Sequence, residues 1–299
     1  MLPSFIIIGA QKSASTFLVE CLREHPEIYM PKGEIPFFES PDYEKQSLVD
    51  LEEIFNGHEN KVLGFKRPNY IGKEEVPARI YKDLPRVKLI AVLRNPIDRV
   101  VSAYFHYIKD GFLPVLPLNE GINLILSDDK FLDKYPRAAE ILEFGLYYKY
   151  LELYLDYFDN RQLKVYLHHE ISKKPEVVIK DIFKFLNVNQ DYSPSNITSR
   201  PLKAVYSPKR LFFNRFITHM RYKYLYNNTR LEEKELSVFN RFFIKACLYV
   251  DQHLLSQIYP ALKPQLTKEL RGVLINYYRN DIEQLEEMLK TDLSSWKHL

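Results

Sequence analysis

Short apolar runs alternate with helix-like segments along the first two thirds of the chain. Residues 5–8, 62–66, 87–93 and 163–167 are mainly apolar, and the first and third runs are rich in β-branched or aliphatic side chains. Runs of this length and character are typical of strands that are covered on both faces of a parallel sheet. A shorter extended run at 28–30 follows the first helical segment.

The polar and apolar spacing between these runs predicts helices. The predicted helices cover a stretch that begins at Ser15 and the ranges 42–58, 74–84, 96–109, 138–159, 174–186 and 267–290, with two or three more in 209–257. Proline-containing stretches at 110–136 and 187–208 are predicted to be irregular. The alternation predicts one α/β domain over 1–299, with a three-layer, P-loop-like parallel sheet flanked by helices and a mostly helical C-terminal part.

Composition narrows the class of protein. Hydrophobic residues make up 46% and charged residues 27% of the 299, which is ordinary for a globular protein. A net charge of +3 is too small to indicate a nucleic-acid partner, and two cysteines provide no disulfide framework. No apolar run approaches the length of a membrane span or resembles a signal peptide, so the expected location is cytoplasmic.

The loop after the first strand carries candidate chemistry. Gly9 ends the strand, and Lys12 and the hydroxyls of Ser13, Ser15 and Thr16 lie between the strand and the first helix. Free amides and the positive end of a helix dipole meet at such a junction, so an anion such as phosphate can bind there. The loop is not a good Walker A motif, because Lys12 comes three residues after Gly9 and no second glycine is present.

A second candidate anion site follows the strand at 87–93. Arg94 leaves that strand, and Ser102 lies about two turns into the next helix. Asn95 can cap this helix, and Pro96 suits its first position. An arginine and a helical serine can bind one phosphate at such a junction, with the arginine as a bidentate donor.

Both segments resemble motifs of the sulfotransferases that use 3′-phosphoadenosine 5′-phosphosulfate (PAPS). Residues 9–18 resemble the family's Gly-x-x-Lys-x-Gly-Thr/Ser-Thr/Ser-x-Leu loop, with Ala14 where glycine is usual. Residues 94–102 resemble its Arg-x-Pro-x-x-Arg-x-x-Ser motif for the 3′-phosphate. The resemblance therefore implies PAPS as cofactor, which leaves as adenosine 3′,5′-bisphosphate. Two anion sites suit such a nucleotide, phosphorylated at both ends, whereas ATP has no 3′-phosphate for the second site. No metal is implied, because no acidic ligand set lies beside the loop and the eight histidines are scattered along the sequence.

The resemblance also implies catalytic residues, which are Lys12, Glu34 and Lys66. Glu34 lies shortly before a phenylalanine pair, as does the catalytic base of heparan-sulfate-type and related bacterial sulfotransferases. Packing of that pair is expected to desolvate Glu34 and raise its pKa. Lys66 begins a Lys-Ser/Thr-Pro-x-Tyr-like segment in which Arg67 replaces the hydroxyl residue. Pro68 stands where the cytosolic small-molecule branch carries a catalytic histidine.

The same resemblance implies a set of residues that bind the cofactor. They are Gln11, Lys12, Ser13, Ala14, Ser15, Thr16, Phe17, Arg94, Ser102, Arg200 and Lys209. Arg200 and Lys209 represent a late basic loop for which Lys203 and Arg210 are equal candidates, and the sequence does not choose among the four. The implied acceptor is a small molecule or a saccharide that presents a hydroxyl or an amine, and the oligomeric state stays open. Two alternatives remain at this point: a P-loop kinase-type phosphotransferase, and a non-catalytic nucleotide- or glycan-binding protein of the same fold.

Overall fold

The computed structural model describes residues 1–198 and 205–298. Within them, five strands form a sheet in the order β2-β3-β1-β4-β5, and every neighbouring pair is parallel. The strands are β1 (Phe5–Gly9), β2 (Ile28–Tyr29), β3 (Val62–Lys66), β4 (Lys88–Leu93) and β5 (Leu163–Leu167). The predicted parallel sheet flanked by helices is confirmed, with its strands at the predicted apolar runs.

Helices connect these strands and follow the last of them. Up to β5 they are α1 (Ser15–Glu24), α2 (Leu48–Glu53), α3 (Val76–Asp83), α4 (Pro96–Lys109), α5 (Leu118–Ser127), α6 (Asp129–Lys134), α7 (Glu140–Glu143) and α8 (Tyr147–Leu155). After β5 they are α9 (His168–Lys173), α10 (Pro175–Leu186), α11 (Pro208–Arg221), α12 (Val238–Val250), α13 (Ser256–Ile258) and α14 (Lys268–Leu289). A short π-helical segment, Asp251–Leu255, joins α12 to α13.

The described residues divide into two compact units. The first comprises 1–99, 146–198 and 279–295 and contains the parallel sheet; the second comprises 100–145, 205–278 and 296–298. The expectation of one domain over 1–299 stays a prediction.

The core of the first unit is built on β1. Phe5 to Ile8 are fully buried, as expected for a central strand that is covered on both faces. Leu18 and Leu22 of α1 and Ile182 of α10 pack in the same hydrophobic cluster. This packing fixes β1 and α1, and therefore the loop between them.

The second unit departs from the sequence prediction in two places. Residues 110–136 contain α5 and α6, because Pro117 precedes α5 rather than interrupting it. Between α11 and α12 lies an antiparallel hairpin of β6 (Tyr222–Leu225) and β7 (Arg230–Glu233). Its turn contains Asn227 and Asn228 at φ values of 54° and 61°, a conformation that asparagine tolerates well.

Candidate active site

The loop between β1 and α1 is tightly constrained. A Cβ atom on Gly9 would lie 2.5 Å from Cγ2 of Ile71 and 3.1 Å from the carbonyl oxygen of Pro68. Only glycine fits this approach without displacing its neighbours. Lys12 and Ala14 both adopt left-handed backbone conformations, at φ 68° and 73°. The left-handed conformation at position 14 explains why the sulfotransferase motif usually has glycine there, because glycine adopts this conformation without a steric penalty.

The first turn of α1 is open to a ligand. Ala14 is the N-cap residue and provides no side-chain cap for the free amides of the helix. Ser13 and Ser15 are buried, whereas Thr16 is exposed. Gln11 is nearly buried and donates from Nε2 to Oδ1 of Asn69 at 3.3 Å. The backbone amides and the Thr16 hydroxyl therefore provide hydrogen-bond donors near the positive end of the helix dipole.

Lys66, at the end of β3, lies between this loop and the candidate base. Its ammonium group is 3.1 Å from Oε1 of Glu34 and 3.4 Å from Oγ1 of Thr16. The lysine side chain is only 12% exposed, so its charge is partly shielded from water. Two of the three predicted catalytic residues, Glu34 and Lys66, are thus in direct contact. Lys66 also touches Thr16, in the first turn of α1, at the end of the candidate anion-binding loop (residues 9–16).

Arg67 is a further candidate site residue, whose contacts the sequence did not indicate. Its Nη1 lies 2.8 Å from Oε2 of Glu34, and its Nε donates to Oε1 of Glu39 at 2.9 Å. Arg67 and Glu39 are 17% and 9% exposed. The guanidinium group therefore connects the candidate base to a second, nearly buried carboxylate, with charge-assisted hydrogen bonds to both.

The pKa of Glu34 is lowered, which contradicts the expected rise. Burial does raise it, as predicted, but the positive charges and hydrogen bonds of Arg67 and Lys66 together outweigh burial. The prediction was wrong because it counted the apolar packing and not the two cations. Glu34 is therefore ionised at neutral pH.

The loop that carries Glu34 is fixed by a buried phenylalanine pair and by Tyr70. Phe37 and Phe38 are buried, as the sequence predicted for this pair. The hydroxyl of Tyr70 donates to the carbonyl oxygen of Ile35 at 2.7 Å and accepts from the amide of Phe38 at 3.0 Å. Tyr70 thus fixes the backbone on the C-terminal side of Glu34.

Arg94, which directly follows β4, contacts the candidate anion-binding loop. Its Nη1 donates to the carbonyl oxygen of Lys12 at 3.3 Å, and its Nη2 lies 4.0 Å from Asp98. Asn95 caps α4, accepting from the amide of Ile97 at 3.0 Å, which confirms the predicted helix start. This contact places Arg94 next to the first motif.

The remaining predicted residues have different surroundings. Phe17 is partly buried and packs on the hydrophobic core of the first unit. Ser102, on α4, and Lys209, on α11, belong to the second unit. Lys209 is exposed and lies 4.5 Å from the ring centre of Tyr259. Arg200 lies outside the described residues.

Comparison with known proteins identifies the family. The sulfotransferase domain matches residues 2–288, nearly the whole sequence. The chain belongs to the sulfotransferase family. A sulfotransferase from Alicyclobacillus acidocaldarius has the same fold, with a TM-score of 0.69 and 22% identity over all of both chains.

The curated proteins that the chain resembles are named as heparan sulfate sulfotransferases. The human bifunctional heparan sulfate N-deacetylase/N-sulfotransferase 2 is 31% identical over 62% of the chain, and the mouse heparan sulfate glucosamine 3-O-sulfotransferase 5 is 28% identical over 72%. These matches span 22% and 62% of the relatives' own lengths.

Among the described residues, neither a membrane-spanning helix nor a metal-ligand group is found. No described helix is both long and apolar enough to cross a membrane. Among the same residues, no group of three or more histidine, cysteine, aspartate or glutamate side chains is placed to hold a metal ion.

Proposed function

We propose that this sulfotransferase moves the sulfuryl group of PAPS to a hydroxyl or an amino group of a saccharide or small-molecule acceptor. The observation that carries the proposal is the position of Lys66, whose ammonium group contacts both Glu34 and Thr16. A candidate base and an anion-binding loop are thereby joined through one cation. The names of the relatives, which specify both N- and 3-O-sulfotransfer to heparan sulfate, favour a saccharide with amino and hydroxyl groups.

The loop residues fit the anionic end of such a donor. Two left-handed residues, a helix start without a side-chain cap and the Lys12 side chain supply donors and positive charge. When bound, PAPS supplies a sulfuryl group activated by its anhydride bond to phosphate. Lys12 and Lys66 would hold negative charge on either side of that bond, which lowers the barrier by preorganised electrostatics.

Glu34 takes the role of general base in this proposal. Its lowered pKa keeps the carboxylate ionised and therefore able to accept the acceptor's proton. A carboxylate of low pKa is a weak base, so much of the rate must come from orientation and from charge stabilisation by the two lysines.

For the 3′-phosphate, the proposal relies on the motif at 94–102. Arg94 lies beside the anion-binding loop, and its guanidinium group suits bidentate binding of a phosphate. Ser102 is proposed from the sequence motif alone, and the late basic residues Arg200 and Lys209 from the family's use of basic residues in a late loop.

The test is sulfuryl transfer from PAPS to a glucosamine oligosaccharide, a neutral hexose oligosaccharide and p-nitrophenol, with sulfated product identified by mass spectrometry. Glu34→Gln is expected to lower turnover by about two to four orders of magnitude and to leave nucleotide affinity unchanged. Glu53→Gln, an exposed glutamate on α2, is the matched control and should retain full activity. Unchanged turnover in Glu34→Gln would refute the base, and nucleotide binding without any transfer would favour the non-catalytic alternative.

A further inference from the structure

The apolar side of helix α12, in the second unit, is exposed to solvent. Ile244 is its only buried residue, whereas Phe239 and Phe242 are 75% and 72% exposed. Phe243, Tyr249 and other large apolar side chains of the helix are exposed as well. A surface helix of a globular protein normally presents polar residues to water and apolar residues to the core.

The exposed side chains of α12 form one stripe. Phe239, Phe242, Phe243, Ala246, Tyr249 and Val250 follow the spacing i, i+3, i+4, i+7, i+10 and i+11. This spacing places them on one side of a helix, approximately opposite Ile244. We call these six residues the aromatic stripe. An apolar surface of this kind marks an interaction site.

Helix α11, which packs against α12, adds to the exposed apolar surface. Phe212 and Phe216 lie one turn apart and are 60% and 53% exposed. The opposite side of α11 is buried through Leu211 and Ile217. The pair of helices is therefore anchored within the second unit while both present phenylalanine rings to the outside.

The charges on these two helices have one sign. Their sequences contain six lysine or arginine residues and no aspartate or glutamate; the six are Lys209, Arg210, Arg215, Arg221, Arg241 and Lys245. Arg210 is neutralised by Asp251, and Arg221 by Glu233. Arg241 and Lys245 are exposed, lie one turn apart and form no ion pair with any described residue. By helical spacing, Lys245 borders the aromatic stripe, whereas Arg241 lies farther round the helix, between Lys245 and Ile244.

The basic charge of the two helices favours an anionic lipid surface over a second copy of the chain as the partner of the aromatic stripe. Because the charged residues of both helices are all basic, a symmetric dimer built on this surface would bring two like-charged surfaces together, which opposes the contact. An anionic lipid surface instead attracts the basic residues, at about a severalfold gain in binding for each basic residue near the surface. Exposed phenylalanine with flanking lysine and arginine is also the composition of helices that lie in a membrane interface.

We propose that α12, with the exposed phenylalanines of α11, binds to the surface of an anionic membrane, with the aromatic stripe at the level of the headgroups. The helix has 13 residues and is too short to span a bilayer, so it would lie in the interface plane. This inference is independent of the proposed function, because it concerns neither the anion-binding loop nor Glu34.

The experiment is co-sedimentation of the full chain with vesicles of equal parts phosphatidylglycerol and phosphatidylcholine, compared with vesicles of phosphatidylcholine alone. We expect binding to the mixed vesicles that is at least tenfold stronger and that weakens when NaCl is raised from about 0.1 M to about 0.5 M. Phe239→Ser/Phe242→Ser should reduce the partition coefficient at least tenfold. Arg241→Glu/Lys245→Glu should reduce it by a similar factor.

Val49→Ser/Val177→Ser is the matched control, because these valines of the first unit are 57% and 62% exposed and lie outside both helices. It should bind like the wild type. The far-ultraviolet circular dichroism spectrum and the melting temperature should be unchanged in all three variants, which shows that they are folded. Absence of binding to the anionic vesicles would overturn the proposal. So would binding that is indifferent to the two phenylalanines, or a dimer in analytical ultracentrifugation that Phe239→Ser/Phe242→Ser abolishes.

Discussion

The ion pair between Arg67 and Glu34 gives a sharp prediction about the candidate base. Replacing Arg67 alone with serine, the type of residue usual in the family, would leave Glu39 nearly buried without its cation, at a cost of about 3–5 kcal/mol of stability. The informative variant is therefore Arg67→Ser/Glu39→Gln, in which both charges are removed. Glu34 then keeps only Lys66 as a contacting cation among its described ion pairs.

The magnitude follows from the geometry. A cation in contact with a carboxylate lowers its pKa by about 1–3 units. Glu34 is 35% exposed, so water screens the pair with Arg67, whose Nη1 is 2.8 Å away, and the lower end of that range applies. We expect the pKa of Glu34 to rise by about one unit in the double variant, equivalent to about 1.4 kcal/mol between its two protonation states.

The assay is a pH titration of the Glu34 carboxyl carbon by NMR, after selective ¹³C labelling of glutamate, with Glu34→Gln to assign the signal. In the wild type Glu34 should titrate below the ordinary glutamate value, since its pKa is lowered. Activity that depends on ionised Glu34 should accordingly persist to lower pH in the wild type than in the double variant. Glu39→Gln alone, which keeps Arg67, is the control. A wild-type pKa above the ordinary value, or one identical in the double variant, would refute the reasoning.

Three further predictions concern the supports of the site. Ala14→Gly should raise the free energy of unfolding by about 0.5–1 kcal/mol in chemical denaturation, because φ is 73° there; a decrease would contradict the strain. Tyr70→Phe should cost about 1–3 kcal/mol and lower turnover without weakening nucleotide binding, and equal loss of both would show general damage instead. Burial raises the pKa of Asp281 to about 6. The chain should therefore lose up to about 3 kcal/mol of stability as pH rises from 4 to 6, and Asp281→Asn should remove this loss.

The parallel sheet could be predicted because its strands are specified locally. β1 and β4, neighbours in the interior of the sheet, are apolar runs between breaks, and burial on both faces imposes that pattern. The start of α4 was equally local, since Asn95 caps the helix and Pro96 occupies its first position. The sequence also placed Lys12, Lys66 and Arg94 correctly at or shortly after the ends of strands, whose carboxyl ends meet at one edge of the sheet.

Other features depend on contacts between distant residues or on weak local signals. The expected helix at 138–159 is divided into α7 and α8, and Gly145 at the break was the available signal. The role of Arg67 requires residues 34, 39 and 67 to meet, which no local pattern specifies. The pKa of Glu34 was misjudged for the same reason, because its direction depends on which cations the fold brings near.

The central claim is that the site binds a nucleotide carrying phosphate at both ends, and calorimetric titration tests it most directly. Adenosine 3′,5′-bisphosphate should bind about ten- to a hundredfold more tightly than AMP, independently of Mg²⁺, since a charge-assisted bond to the 3′-phosphate contributes about 1.5–3 kcal/mol. Arg94→Ala should remove most of that difference. Binding of Mg²⁺–ATP with no preference for the bisphosphate would contradict the account and favour a phosphotransferase.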